Sequence, residues 1–187
     1  MISTSEFKKG AKLEIDGNPY EIVEYEHVKP GKGQAFVRVK IKNLMTGNTV
    51  EKTYKSGIKL KKADVEEHKM QYLYKDANGY NFMDTSSYEQ YTVSEKVMGN
   101  ASKFIRDNET ISVMLYNKAP IGVDLPNFVE LKVASTEPGF KGDTAATGSK
   151  PAQLETGATV NVPFFLKEGE TIRIDTRTGE YIERVNK

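Results

Sequence analysis

At 187 residues, 37% hydrophobic and 28% charged, the chain can bury ordinary globular cores, but it is long for one small barrel and short for a large enzyme. It has no cysteine, which excludes disulfides, thiolate nucleophiles and cysteine-based zinc sites; with no long apolar run and no apolar leader in MISTSEFKKG, a cytoplasmic protein without a membrane partner is expected. The formal charge of +1 is uneven: +5 over residues 1–64 (13 Lys and Arg, 8 Asp and Glu), −3 over 65–128 (6 and 9) and −1 over 129–187 (8 and 9). A basic first third fits an anionic partner such as RNA, although isolated lysines also serve only solubility.

Strand periodicity dominates. KLEIDGNPYEIVEYEHV alternates apolar and polar residues around an Asp16-Gly17 turn, QAFVRVKIKNL continues through Phe36, Val37, Val39 and Ile41, and Thr46-Gly47-Asn48 turns the chain into another strand. Short turns between strands predict a small SH3-like barrel, ending near residue 64 where KLKKADVEEHKM shifts the composition. QYLYKDANGYNFM then forms a hairpin around Asn78-Gly79, followed by YEQYTV. Ser94 reads as an N-cap, and Val97, Met98, Ala101, Phe104 and Ile105 predict one helix reaching about Asp107. ETISVMLY and APIGVDL complete the order of an oligonucleotide-binding (OB) fold, which another small α+β domain would share.

The last third reads as a second copy. Glu109-Thr110-Ile111-Ser112-Val113 matches Glu170-Thr171-Ile172-Arg173-Ile174 at an offset of 61 residues, each followed by a turn and one further strand. PNFVELKVAS supplies its first strand, EPGFKGDTAATGSKPA a long loop, and ATVNVPFFLKEG with two terminal strands the remainder.

Two loops carry candidate function. In KPGKGQAF, Pro30 fixes one φ, Gly31 and Gly33 permit tight conformations, and Lys32 sits between them on a finger whose arms, at ~3.3 Å per residue, place it up to roughly 30 Å from their far ends. Lys32 is either a probe for a narrow site or a solvated hairpin charge. In the second loop, glycines expose backbone donors while Asp143 and Thr144 offer hydrogen bonds to bases or sugars; a plain linker is the other reading. Catalysis finds little to use. His27 and His68 lack ligand spacing and read as surface residues, carboxylates fall at alternating strand positions, no P-loop or dinucleotide fingerprint is present, and Asn100 and Asn108 are chance sequons. No catalytic residue, metal or cofactor is assigned.

VKPGKGQAF, the helix-bearing segment running into PNFVEL, EPGFKGDTA followed by KPA, and the terminal DTRTGEYIERV resemble, in that order and spacing, the bacterial translation elongation factor P family, homologous to the hypusine-containing eukaryotic and archaeal initiation factor five-A. The resemblance spans essentially the whole chain, and KGDTA, TGA, VPFF and DTRTGEY together are its most specific part. It implies an all-β, L-shaped, tRNA-like protein: an SH3-like (KOW-type) domain over 1–64, a central OB domain with one short helix over 65–128, and a C-terminal OB domain over 129–187. It also implies a non-enzymatic monomer that binds both ribosomal subunits beside peptidyl-tRNA and relieves stalling at consecutive prolines. Lys32 is then the position extended by a lysine-modifying enzyme and the contact to the tRNA acceptor end. Lys29, Pro30, Gly31, Gly33 and Gln34 would support it, and Gly142, Asp143 and Thr144 would contact exit-site mRNA. A generic RNA-binding or transcription-associated module is the alternative. An enzyme with Lys32 as a Schiff-base nucleophile is weaker, because such a lysine needs a desolvated pocket.

Overall fold

The computed structural model describes residues 1–139 and 148–185. The first sheet has six strands, β1 (Ile2–Ser3), β2 (Lys12–Ile15), β3 (Asn18–Val28), β4 (Phe36–Asn43), β5 (Thr49–Lys55) and β6 (Lys59–Lys62), in the order β1-β6-β2-β3-β4-β5. The Asp16-Gly17 turn forms as expected, with φ of 52° and 75°, a pair of left-handed residues that matches the twist of a two-residue hairpin. Alternation in β4 puts Val37, Val39 and Ile41 at 0% exposure beside Leu13, Ile22 and Phe7, while Arg38, Lys40 and Lys42 face water.

The second sheet contains β7 (Val65–Asp76), β8 (Gly79–Asp84), β9 (Gln90–Val93), β10 (Thr110–Tyr116) and β11 (Ala119–Asp124), ordered β11-β10-β7-β8-β9. The third contains β12 (Phe128–Thr136), β13 (Ser149–Leu154), β14 (Thr159–Pro163), β15 (Thr171–Asp175) and β16 (Glu180–Arg184), ordered β14-β13-β12-β15-β16. Each sheet therefore places its first strand at the centre, its second and fourth beside it, and its third and fifth at the edges. This is one topology used twice, and with the first sheet it makes the chain mostly β. Gly79 cannot be exchanged freely: at φ +137° an added Cβ would lie 2.4 Å from the Val93 carbonyl oxygen.

The offset of 61 residues holds well beyond the matching pentapeptides. Register slips between Tyr72 and Tyr74 on β7, and between Val133 and Ser135 on β12, at the same relative position. The turns before β10 and β15 are also alike. Glu109 accepts from the Arg106 amide at 3.0 Å and Glu170 from the Lys167 amide at 2.8 Å, and the Glu109 and Glu170 carbonyls receive the amides of Tyr72 and Val133.

By compactness the chain divides into residues 1–68 with 113–122, and 69–112 with 123–187, the cuts falling within β7, β10 and β11. In the first unit the Tyr116 hydroxyl donates to Glu14 Oε2 at 2.9 Å, and Lys61 Nζ donates to Glu14 Oε1 at 2.7 Å. The Lys61 ammonium and then the Tyr116 hydroxyl hold the Glu14 carboxyl below its usual range. In the second unit the predicted helix is only α1 (Glu95–Met98), started as expected by Ser94, whose Oγ accepts from the Val97 amide at 3.3 Å. Gly99, at φ 49° and ψ −132°, ends the α-helical path, and residues Gly99–Lys103 continue as a 3₁₀ turn. That turn delivers Phe104, 3% exposed, into the core made by Val129, Leu131, Ile172 and Ile174 of the third sheet. The Thr156 hydroxyl fixes the same junction by donating to the Lys103 carbonyl at 2.6 Å.

Asp175 anchors the last turn. Its Oδ1 accepts from the Arg177 amide at 2.9 Å and from Nε at 3.0 Å, and its Oδ2 from Nη2 at 2.6 Å. The Arg177 side chain first, and its amide second, bring the Asp175 carboxyl down to about 2.

Two predictions follow from these contacts. Phe104→Ala leaves a cavity in the third-sheet core and is expected to cost about 3–5 kcal/mol in denaturant unfolding of the full chain; a loss below ~1 kcal/mol would show that the ring is not part of that core. Because Asp175 binds its proton less readily when folded, its stabilisation is present above an ordinary carboxylate pKa and is lost as pH falls toward about 2. Asp175→Asn should therefore lower stability near neutrality and flatten the acid limb of a stability-against-pH curve; parallel curves for the two proteins would remove this role.

Candidate functional site

The β3–β4 hairpin joins the two longest strands of the first sheet. Its ladder runs from Tyr20 opposite Asn43 to Val28 opposite Phe36, leaving residues 29–35 as the tip. Lys29, Pro30, Gly31, Lys32, Gly33 and Gln34 are all exposed. Gly33 has φ +116°, and a Cβ there would meet Pro30 Cγ at 3.7 Å, whereas one at Gly31 would meet nothing within 4 Å. The tip is closed from below by the Ser56 amide, which donates to the Ala35 carbonyl at 2.9 Å.

On the arms Arg38 is ion-paired; among the described residues the tip lysines are not. Glu24 lies opposite Lys40 and Glu26 opposite Arg38, whose guanidinium reaches Glu26 at 3.6 Å and Glu51 at 3.4 Å. Lys29 and Lys32 have no hydrogen-bond or ion-pair partner among the described residues. The arrangement thus offers two free ammonium groups on a narrow stalk, suited to phosphate and ribose oxygens. It gives Lys32 no desolvating walls of the kind that activate a lysine nucleophile.

Gly142, Asp143 and Thr144 lie outside the described residues, so only the stems flanking them are defined. Lys150, 5% exposed, donates from Nζ to the Glu137 carbonyl at 2.6 Å, and the Thr136 hydroxyl donates to the Pro151 carbonyl at 3.0 Å. Gly139 and Gly148 close on Phe164: a Cβ on the first would lie 2.8 Å from the Phe164 carbonyl oxygen, and one on the second 1.8 Å from the ring. The stretch SKPA, expected within the long loop, instead belongs to β13. Lys150, Ala152 and Leu154 point inward there, and Pro151 is accommodated because pairing to β12 starts only at Ala152.

His27 and His68 do not come together. His68 Nε2 lies 2.7 Å from Glu66, and His27 packs edge-to-face against Tyr25 with ring centroids 5.6 Å apart. Among the described residues no group of three potential ligands could hold a metal. The Tyr25–His27 pair escaped the sequence reading, although its i, i+2 spacing on a strand was the available signal.

Comparison with known proteins gives consistent results along the chain. Residues 3–60 match the family description "Elongation factor P (EF-P) KOW-like domain", residues 65–123 "Elongation factor P (EF-P) OB domain", and residues 129–184 "Elongation factor P, C-terminal". The elongation factor P of Natranaerobius thermophilus is 56% identical over 185 residues, covering 99% of this chain and 98% of its own. That of Pelotomaculum thermopropionicum is 54% identical over 185 residues, covering 99% and 100%. Among solved structures, eukaryotic translation initiation factor 5A from Methanococcus jannaschii superimposes with a TM-score of 0.50 at 23% identity, over 66% of this chain and 92% of its own. A family protein of the same factor from Naegleria fowleri gives 0.54 at 14% identity, over 66% and 94%. The two structures share the fold; the full-length matches and the three family descriptions show that the chain belongs to the elongation factor P family.

Proposed function

We propose that this translation elongation factor binds the ribosome beside peptidyl-tRNA and speeds peptide-bond formation at consecutive prolines by ordering the tRNA acceptor end with Lys32. The observation that carries the reading is Lys32, exposed and without a partner among the described residues, on a glycine tip above strands where Arg38 is ion-paired to Glu26 and Glu51. Proline is a slow substrate because its ring restricts φ and its nitrogen is a hindered secondary amine. A factor that holds the reacting ends in place recovers rate through positioning alone, since about 1.36 kcal/mol off the barrier is tenfold in rate. No bond-making group is required, so the chain acts as a factor rather than an enzyme.

The division of labour follows the three sheets. Residues 1–64 carry the tip to the tRNA, 65–128 form the connecting barrel, and 129–187 present Gly142, Asp143 and Thr144 to mRNA in the exit site. The basic balance of the first third supports an RNA partner for that end. Lys32 is also the position for a covalent extension: a lengthened amine adds reach and donors, and the open space around Gly31 leaves room for a modifying enzyme. The factor works as a cytoplasmic monomer, without a cofactor beyond that modification.

Lys32→Ala is expected to leave the melting temperature unchanged and to abolish rescue of polyproline synthesis in a reconstituted translation system; undiminished rescue would sink the mechanism and favour a general RNA-binding module. Asp143→Ala should weaken activity on stalled ribosomes severalfold at unchanged stability. Equal activity would return residues 140–147 to the role of a linker.

A further inference from the structure

The two faces of the Lys32 stalk differ in chemistry. Antiparallel partners share a face, so the rows Glu24–Lys40–Glu51 and Glu26–Arg38–Thr53 lie on one side and the rows Tyr25–Val39–Lys52 and His27–Val37–Tyr54 on the other. The first side holds all the carboxylates of these four rows, set against Arg38 and Lys40. The second side holds none. Its inner positions are the buried Val37 and Val39, and its outer positions are two aromatic rings crossing at 84°, with Tyr25 43% exposed and His27 also exposed. Lys52 stands in the same row as Tyr25, without a hydrogen-bond or ion-pair partner among the described residues.

A single exposed tyrosine carries no message. Here two rings lie five and seven residues from Lys32, on a face cleared of negative charge and supplied with an unpaired ammonium. Unpaired nucleobases stack on aromatic side chains with little regard to base identity, and nearby cations hold their phosphates. We propose that Tyr25 and His27 form a stacking platform for the unpaired bases of the RNA end that Lys32 reaches, with Lys52 opposing its phosphates. The proposal rests on the tRNA-directed reading of Lys32 and adds positioning residues to it. The tip alone gives one point of contact, which leaves the strand free to pivot; a stacked base below it gives a second.

The chain has no tryptophan, so Tyr25→Trp introduces a single indole, excitable apart from the tyrosines, while keeping a stacking surface. Titrating this full-length variant with the oligoribonucleotide ACCA should quench its fluorescence, and an abasic oligomer of equal length should need about tenfold more to do the same. Equal titrations would reduce the platform to phosphate attraction and overturn the proposal. In reconstituted polyproline translation, Tyr25→Ala with His27→Ala is expected to slow rescue about tenfold at matched thermal stability, and Tyr25→Phe with His27→Phe to retain most of it. If the alanine pair rescues like the unaltered protein while Lys32→Ala does not, the platform falls and the function stands. If the unaltered protein gives no rescue, the function reading falls, and the oligonucleotide titrations alone decide the platform.

Discussion

The ladder between β3 and β4 does two tasks, with its register shifted once, between Ile22 and Glu24. On its inner side it delivers Val37, Val39 and Ile41 to the first core at 0% exposure, and at its end it fixes where the seven-residue tip begins. β4 is paired to β5 as well, from Phe36 opposite Lys55 to Lys42 opposite Thr49, so its backbone is held on both edges. A slip of one residue would turn all three apolar side chains to water, at about 1.5–3 kcal/mol each. The position of Lys32 is thus set by packing at the base of the stalk. This leaves the tip itself free of internal bonds, and glycine at both flanks of Lys32 costs the barrel nothing.

The other two sheets show how little of a strand's surface sequence must persist for a fold to repeat. The offset of 61 residues preserves a bulge, a four-residue turn and the amide contacts made by Glu109 and Glu170, while most other side chains differ. What is retained is what fixes the backbone: a bulge re-aims the central strand, and a glutamate that takes up an amide of its own turn holds that turn in place. Phe104 then departs from the pattern. It follows the 3₁₀ turn of the second sheet but fills the core of the third, so that core is complete only with a residue from outside its own strands.

Alternation made β4 and β12 to β14 legible, because those strands have one wet and one buried face, whereas β8 and β10 are buried at nearly every residue; Asp16-Gly17 and the offset of 61 were legible from local sequence alone. The family's motifs, rather than periodicity, gave Lys32 its weight. Three features were hidden. The helix was read as far as Asp107 because Ala101, Phe104 and Ile105 keep helical spacing, and spacing does not register that Gly99 adopts a φ of 49°. Phe104 looked like a core residue, and is one, but periodicity does not say whose core. Lys150 falls in the stretch read as a long loop, and only the pairing of β13 with β14 turns it inward.

Lys150 and Lys32 show two opposite uses of a lysine. A buried lysine must commit its ammonium, and Lys150 does so at 2.6 Å to the Glu137 carbonyl, where it serves the stem and is unavailable to a ligand. Lys32 is exposed and has no partner among the described residues, so its ammonium stays hydrated until an anion replaces that water. Exchange of water for phosphate or ribose oxygens is worth little per contact, and it gains selectivity only from where the stalk places it. Chemistry that needs a neutral amine would require walls that Pro30, Gly31 and Gly33 do not supply. Work that needs reach and positive charge is served by that same lack of walls, which is the physical support for the proposal that Lys32 positions RNA.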